Sequence, residues 1–379
     1  MFYAPPNPKI KYRPLSWTLP ADPTKPEIPY HCGASLSIRA HTPPLPFGFG
    51  YRRDIVPRPI ADWTDLDGKT QTEWCSQHPV IDTPPHPDKT IHHLHVLEEV
   101  ACRDGRGAQV VRCSLDDSSD DTTYIAKIYD PLYYSYVDSY DDPTWRADRD
   151  YSSEAAAYEE LKRAGVDGSL APKYYGSWTF DMVHPDTPQA TRSVRMILME
   201  WIPDSVTMHS IVEGGFRGRM SPQHQLDILA KALEVRSKIE FYGVRHLDFA
   251  PRNALLVGPD VFSCMPRVIL FDFNRSSVFS QPGCIGLPYE SKLPVSPQYL
   301  FWGRCPEEFQ HWTPYPHCVV RGVFFGWLKS CWENSTEFDG PPASSQWRLS
   351  RYKDTPEYAP PIEDEDWESG ANSMPSSSP

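Results

Sequence analysis

Three features are missing from this sequence, and each absence removes a class of function. No stretch comes near the roughly 18 uninterrupted apolar residues of a membrane helix, so no membrane partner is expected. Basic residues are too few for a nucleic-acid surface: 37 Lys and Arg stand against 50 Asp and Glu, a formal net charge of −13. Cysteine pairs are missing as well. The nine cysteines, at 32, 75, 102, 113, 264, 284, 305, 318 and 331, are odd in number, and none forms a Cys-x-x-Cys pair. That spacing suits neither a disulfide framework nor a zinc site, and it fits a reduced, intracellular, cytoplasmic setting with the nucleus as the alternative. The opening Met1-Phe2-Tyr3-Ala4-Pro5-Pro6 has no basic segment ahead of an apolar one, so a secretory signal is not expected.

Proline is plentiful, but not everywhere. Of 41 prolines, 17 fall in residues 1–90 and 7 in residues 341–379, leaving 17 for the 250 residues between. Helix interiors and central strands tolerate little proline, so the middle is the expected folded unit. Residues 1–90 read as an irregular, partly ordered extension, with Trp17, Trp63 and Trp74 available to pack on something. Residues 341–379, with Glu363-Asp364-Glu365-Asp366 and a run of serines, read as a disordered acidic tail.

Periodicity divides the middle in two. His95–Ala101, Ala108–Cys113 and Thr122–Tyr129 read as strands, with the acidic run Asp116–Asp121 as a solvated loop. Residues 130–150 read as a long loop. A helix capped by Ser152 or Ser153 is expected to run to Ala164, with Gly165 ending it. Lys173–Phe180 and Ser193–Met199 add two strands. Beyond Pro203 the pattern turns helical, most clearly from Ser221-Pro222 to Gly243, where Leu226, Ile228, Leu229, Leu233 and Ile239 share a wide apolar face. Short apolar runs follow at Ala254–Val257 and Val268–Phe271. Strands first and helices after imply an α+β architecture.

The residues with the most chemical content are His246-Leu247-Asp248-Phe249-Ala250-Pro251-Arg252-Asn253 and Phe271-Asp272-Phe273-Asn274. An Asp and an Asn five apart in a loop, then an Asp after an apolar strand, supply hard oxygen ligands of the kind that suit Mg²⁺ with phosphate oxygens. The first Asp can accept a hydroxyl proton or orient an acceptor.

These segments resemble the catalytic loop and metal-binding motif of the protein kinase-like superfamily, over roughly residues 95–310. Ile125-Ala126-Lys127 resembles its third-strand lysine motif, and Glu154 the helix glutamate that pairs with that lysine. Asp104-Gly105-Arg106-Gly107-Ala108 resembles a reduced phosphate-covering turn, with Gly105 and Gly107 present and Val110 in the third glycine's place. Met199-Glu200-Trp201-Ile202-Pro203 resembles the hinge where adenine meets the chain. The loop variant is similar to kinase-like proteins abundant in filamentous fungi, and its His-x-Asp-x-x-x-x-Asn pattern also occurs in aminoglycoside- and choline-kinase-like phosphotransferases.

The resemblance implies a bilobal fold. Residues 91–202 would form an antiparallel-sheet N-lobe, and residues 203–340 a mostly helical, shortened C-lobe. It implies an ATP- and Mg²⁺-dependent phosphotransferase whose acceptor is a hydroxyl on a protein or a small molecule. Lys127 and Asp248 would be catalytic, with Arg252 either neutralising the transferred group or bracing the loop. Gly105, Gly107, Lys127, Glu154, Glu200 and Trp201 would bind the nucleotide, and Asn253 and Asp272 the metal.

Two departures bear on activity. Leu247 stands where an arginine often precedes the catalytic Asp, so control by a phosphate on the activation loop is not expected. Asn274 stands where a glycine usually follows Asp-Phe, and Asn tolerates a left-handed turn there. A third reading is a pseudokinase that binds nucleotide without turnover. Taken singly, the glycine turn is also an ordinary hairpin turn, Lys127 an exposed strand lysine, and Glu154 a solvated first-turn glutamate.

Overall fold

A computed structural model describes residues 18–340, apart from residues 19, 58–60, 62, 117–121, 137–141, 186–188, 287, 289–290 and 303–304. Trp17, most of the acidic run and the tail from residue 341 lie outside the described residues, as does the side chain of Trp63. The chain divides into two compact units. The first holds the described residues up to Trp201 together with Asp272–Gly286, and the second holds Ile202–Phe271 and those beyond Leu287.

The first unit is built on six antiparallel strands: β1 (Ser35–Ala40), β2 (Ile91–Ala101), β3 (Gln109–Leu115), β4 (Tyr124–Tyr129), β5 (Tyr174–Val183) and β6 (Thr191–Glu200). They pair in the order β1-β2-β3-β4-β6-β5 and close into a barrel, where the sequence led to an antiparallel sheet of five of these strands. Closure comes from the extension. On one side of β1, Ser35 lies opposite His95 of β2; on the other, Arg39 lies opposite Thr179 of β5. A strand that pairs with both edges covers part of each, over residues 91–95 of β2 and 178–179 of β5.

Alternation fills the interior. Leu36 and Ile38 of β1, Val111 and Cys113 of β3, and Ala126 and Ile128 of β4 all sit in one buried cluster with Leu94, Met196 and Leu198. Each large aliphatic side chain buried there contributes about 1.5–3 kcal/mol. The same period of two places Lys127 and Tyr129 together on the opposite face of β4.

More of the extension is ordered than its proline content suggests. Helix α1 (Gln71–Gln77) opens with a reciprocal capping box between Thr70 and Glu73. Its Gln71 amide donates to the carbonyls of Pro131 and Tyr134 at 2.7 and 2.8 Å. Trp74 is buried.

Helix α2 runs Pro143–Arg163, so the loop expected over 130–150 is helical in its last third. The cap is Asp142, whose carboxylate accepts the Trp145 N–H at 2.7 Å, and Pro143 occupies the first helical position. Proline there needs no donor and is already set at helical φ. Ser152 and Ser153, expected to cap, are instead buried mid-helix; Ser153 donates to the Phe47 carbonyl at 3.2 Å. Gly165 ends the helix with φ 71.

In the second unit, strands β7 (Ser205–Thr207), β8 (Ala254–Val257) and β9 (Arg267–Leu270) form an antiparallel sheet in the order β9-β8-β7. Its helices include α3 (Met208–Glu213), α4 (Pro222–Phe241) and α5 (Arg321–Trp332). Ser221 caps α4 through the His224 N–H at 3.1 Å, and the apolar face expected on this helix is buried. The fully buried Trp312 donates its indole N–H to the Gln225 carbonyl at 2.9 Å.

Candidate functional site

The first unit brings Lys127, Glu154 and Asp272 together. Lys127 is only 8% exposed, and its ammonium lies 2.5 Å from Glu154 Oε2 and 2.5 Å from Asp272 Oδ1. It is therefore not an exposed strand lysine. Glu154 sits in the fourth turn of α2 with no exposed surface, so it is not a solvated first-turn glutamate either. Both its oxygens are engaged: Oε2 accepts the Tyr129 hydroxyl at 2.8 Å as well as Lys127, and Oε1 accepts the Phe273 backbone N–H at 3.2 Å. Packing holds the arrangement, with Tyr158 one turn on from Glu154 meeting Phe273 edge-to-face at 5.2 Å.

The electrostatics follow from burial. Desolvation disfavours the charged lysine, but Asp272 and Glu154 more than offset it and hold Lys127 above its ordinary range. Burial is the largest influence on Glu154 and raises its carboxyl to about 7, although Lys127 pulls it down. The result is a buried, fixed ammonium facing the carboxyl groups of Asp272 and Glu154.

Asp272 adopts φ 63, one of two non-glycine residues with positive φ among those described. The left-handed residue of this turn is thus Asp272, not Asn274, and nothing at position 274 requires a glycine. A non-glycine residue held in this region costs about 1–3 kcal/mol and tends to occur where function fixes the geometry.

The second unit gathers Asp248, Arg252 and Asn253 in the loop between α4 and β8. Pro251 starts one turn of 3₁₀ helix ending at Asn253, which returns both later side chains toward Asp248. The Asn253 amide donates to the Asp248 carbonyl at 2.8 Å and to its Oδ2 at 3.0 Å. Arg252 donates to Asp248 Oδ1 at 2.6 Å and to Glu308 at 3.3 Å. His246 is buried and makes two backbone contacts. Nδ1 accepts the Asp248 N–H at 3.3 Å and Nε2 meets the Phe271 carbonyl at 3.1 Å, which assigns the neutral Nε2–H tautomer.

The remaining expected residues are placed as follows. Gly105 and Gly107 lie in the β2–β3 hairpin connection, with φ 76 and 114. Gln109 closes that turn by accepting the Arg103 N–H at 2.7 Å and donating to the Gly107 carbonyl at 2.8 Å. Glu200 ends β6, and its carboxylate accepts the Lys173 N–H at 3.0 Å. Trp201 closes the first unit with the Arg112 guanidinium 5.3 Å over its ring. Tyr129 is a site residue that sequence reasoning missed. Its signal was available, since it lies two residues beyond Lys127 on the same strand.

Among the described residues, no group of three or more His, Cys, Asp or Glu side chains is placed to hold a metal ion. No described helix is long and apolar enough to cross a membrane. All nine cysteines are free thiols.

No protein-family model matches the sequence, and no curated protein matches it. Among solved structures, the chain is similar to WaaP in complex with acyl carrier protein, at 18% identity and a TM-score of 0.31, over 48% of this chain and 63% of that one. It is also similar to the PknI kinase domain of Mycobacterium tuberculosis, at 13% identity and a TM-score of 0.30, over 48% of this chain and 60% of that one. The chain thus spans less than two thirds of each of these structures.

Proposed function

We propose that this protein is a kinase-like phosphotransferase that moves the γ-phosphoryl group of ATP to a hydroxyl acceptor, with a protein side chain as the first candidate acceptor and a small hydroxylated molecule as the other. One observation carries the reading: the buried Lys127 ammonium held 2.5 Å from both Glu154 and Asp272. Phosphoryl transfer asks a protein mainly for positioning and for charge opposite the phosphates. A lysine fixed by a buried glutamate meets the first need, because its rotamers are already restricted before nucleotide arrives.

In this reading Asp248 accepts the acceptor's proton or orients its hydroxyl. Asn253 fits a magnesium-binding role, because its amide nitrogen is directed at Asp248 and Oδ1 remains as the hard ligand. Asp272 supplies the carboxylate. Bound Mg²⁺ would neutralise charge on the phosphate oxygens. Gly105, Gly107, Glu200 and Trp201 are proposed nucleotide contacts.

Calorimetry with ATP tests this. Magnesium should tighten ATP binding over the same titration in chelator, and Lys127→Met should weaken it at least tenfold. Equal affinities in all three titrations would sink the reading. Asp248→Asn should abolish transfer of labelled phosphate while leaving ATP affinity within about twofold. A variant that retains full transfer would remove Asp248 from the proton-accepting role.

A second reading, nucleotide binding without turnover, is favoured by one feature. Both Asp248 carboxylate oxygens are already engaged, by Arg252 and Asn253. Labelled ATP with magnesium and cell extract separates the readings: label on protein, on a small molecule, or on neither.

A further inference from the structure

Arg195 is a buried cation that no carboxylate among the described residues hydrogen-bonds. It lies on β6 and is 4% exposed. Its Nη1 donates to the Thr179 hydroxyl at 2.7 Å and its Nη2 to the Ile81 carbonyl at 3.1 Å, both uncharged acceptors. Its Nε has no hydrogen-bond partner among the described residues. Arg192, three residues earlier on the same strand, shows the usual solution: its guanidinium grips the fully buried Asp130 carboxylate at 2.7 and 2.8 Å. Buried charges in proteins are ordinarily paired in this way, because desolvation without a counter-charge is costly.

Both arginines line one cavity of about 390 Å³, with Thr144, Thr191, Ser193 and His184 among its walls. Cavities of about 300–1,000 Å³ are the size that small molecules occupy. Charged groups surround Arg195 at a distance, among them Asp181, which is paired with Arg39 at 2.9 and 3.2 Å. Asp148 acts on Arg195 from α2, but both carboxylate oxygens accept the Ile81 backbone N–H at 3.1 Å. Asp82 also lines the cavity but is exposed, so water screens it. Arg39, on β1, adds positive potential, and the Tyr151 hydroxyl faces from α2. Asp130 is paired with Arg192, so among the described residues no carboxylate is hydrogen-bonded to Arg195.

We propose that this cavity is a binding site for a small oxyanion, a phosphate or carboxylate group seated against Arg195. A guanidinium matches either group through paired N–H donors, and such charge-assisted bonds are the strong ones. The Thr191 hydroxyl, on the cavity wall, supplies a neutral donor beside it. The site stands on Arg195 and the cavity alone, and it holds whether or not the protein transfers phosphate.

Thermal unfolding at constant ionic strength tests it, with inorganic phosphate and malonate as the two probes and chloride as the baseline. At a concentration a hundredfold above its Kd, a bound anion raises Tm by about 5 °C in a unit of this size. Arg195→Gln should weaken that response at least tenfold. Thr191→Trp, which fills the cavity from its exposed edge, should abolish it without touching the arginine and decides the matter if Arg195→Gln fails to fold. Lys127→Met should leave it intact, which separates this site from the proposed nucleotide site. A response to phosphate alone or malonate alone identifies the group. No rise with either probe, or a rise that survives Thr191→Trp or vanishes in Lys127→Met, overturns the proposal.

Discussion

Glu154 is under two opposing demands. Its position in α2 excludes it from water, which favours the protonated acid, while Lys127 and the Tyr129 hydroxyl favour the carboxylate. Burial is the larger effect, so the carboxyl titrates at about 7 in the fold against an ordinary value of 4.5. The folded protein therefore holds more protons than the unfolded chain between these two values. Stability from this group is fully present below the unfolded value and is lost as pH rises through about 7. The urea midpoint of the wild type should fall between pH 5 and pH 7.5, and Glu154→Gln should flatten that part of the curve. An equal slope in both proteins would show that Glu154 does not titrate there. Glu154→Ala is a harsher change, because it takes one of two carboxyl partners from a buried ammonium and the acceptor from the Tyr129 hydroxyl and Phe273 N–H, and it should cost about 3–5 kcal/mol in denaturant unfolding. Asp272 contains the same lesson in its backbone: a strained φ of 63 is maintained where the side chain meets Lys127.

At the scale of elements, two pieces hold α2 and the turn after Asp272 in place. The first is the cap at Asp142; Asp142→Ala should cost about 1 kcal/mol, read from the denaturation midpoint. The second is the stretch from Phe47 to Ile55. Phe47 packs on Trp145 at 5.3 Å, and the buried Tyr51 hydroxyl accepts the Val278 N–H at 2.9 Å. Ile285 donates to the Gly50 carbonyl at 2.9 Å, and Arg52 to the Gly283 carbonyl at 2.8 Å. Tyr51→Phe leaves a buried N–H without an acceptor, at a cost of about 1–3 kcal/mol. A midpoint unchanged from wild type would mean that Val278 finds another acceptor. These elements also mark the limits of reading the sequence. Strands β2 to β6 and helix α4 were legible, because alternation, β-branched runs and the Ser-Pro start are local signals. The closeness of Lys127 and Glu154 was legible only through the ordered motif. The start of α2 was not, because Pro143 looks like a breaker until Asp142 is seen to cap it. Strand β1 was hidden for a different reason. Its six residues, Ser35–Ala40, carry only two inward apolar side chains, and its partners lie more than fifty residues away in sequence. The acceptor of the Phe273 N–H is invisible to any pattern of side chains.

For the molecule as a whole, the decisive question is whether the proline-rich first quarter is an appendage or part of the fold. Length and composition favour the first answer; the barrel favours the second. Without β1, strands β2 and β5 each present a row of unpaired backbone groups, and an open edge of that kind promotes association between chains. The interior would also lose Tyr30, Leu36 and Ile38, all buried. Tyr30 matters beyond its bulk, because its hydroxyl donates to Asp130 at 2.5 Å, the carboxylate that neutralises Arg192. Removing a buried aromatic alone costs about 3–5 kcal/mol, and a whole domain is stable by only about 5–15 kcal/mol. A fragment of residues 91–340 retains every residue of the proposed catalytic set, so the sequence motif alone predicts that it still binds nucleotide. The barrel predicts otherwise. That fragment should show weakened near-ultraviolet circular dichroism, lose the cooperative transition of its first unit, and self-associate, and adding the separate 1–90 segment should restore part of the signal. A fragment that unfolds cooperatively, with the wild-type dependence on denaturant and the wild-type affinity for ATP, would reduce β1 to an ornament on an otherwise complete sheet.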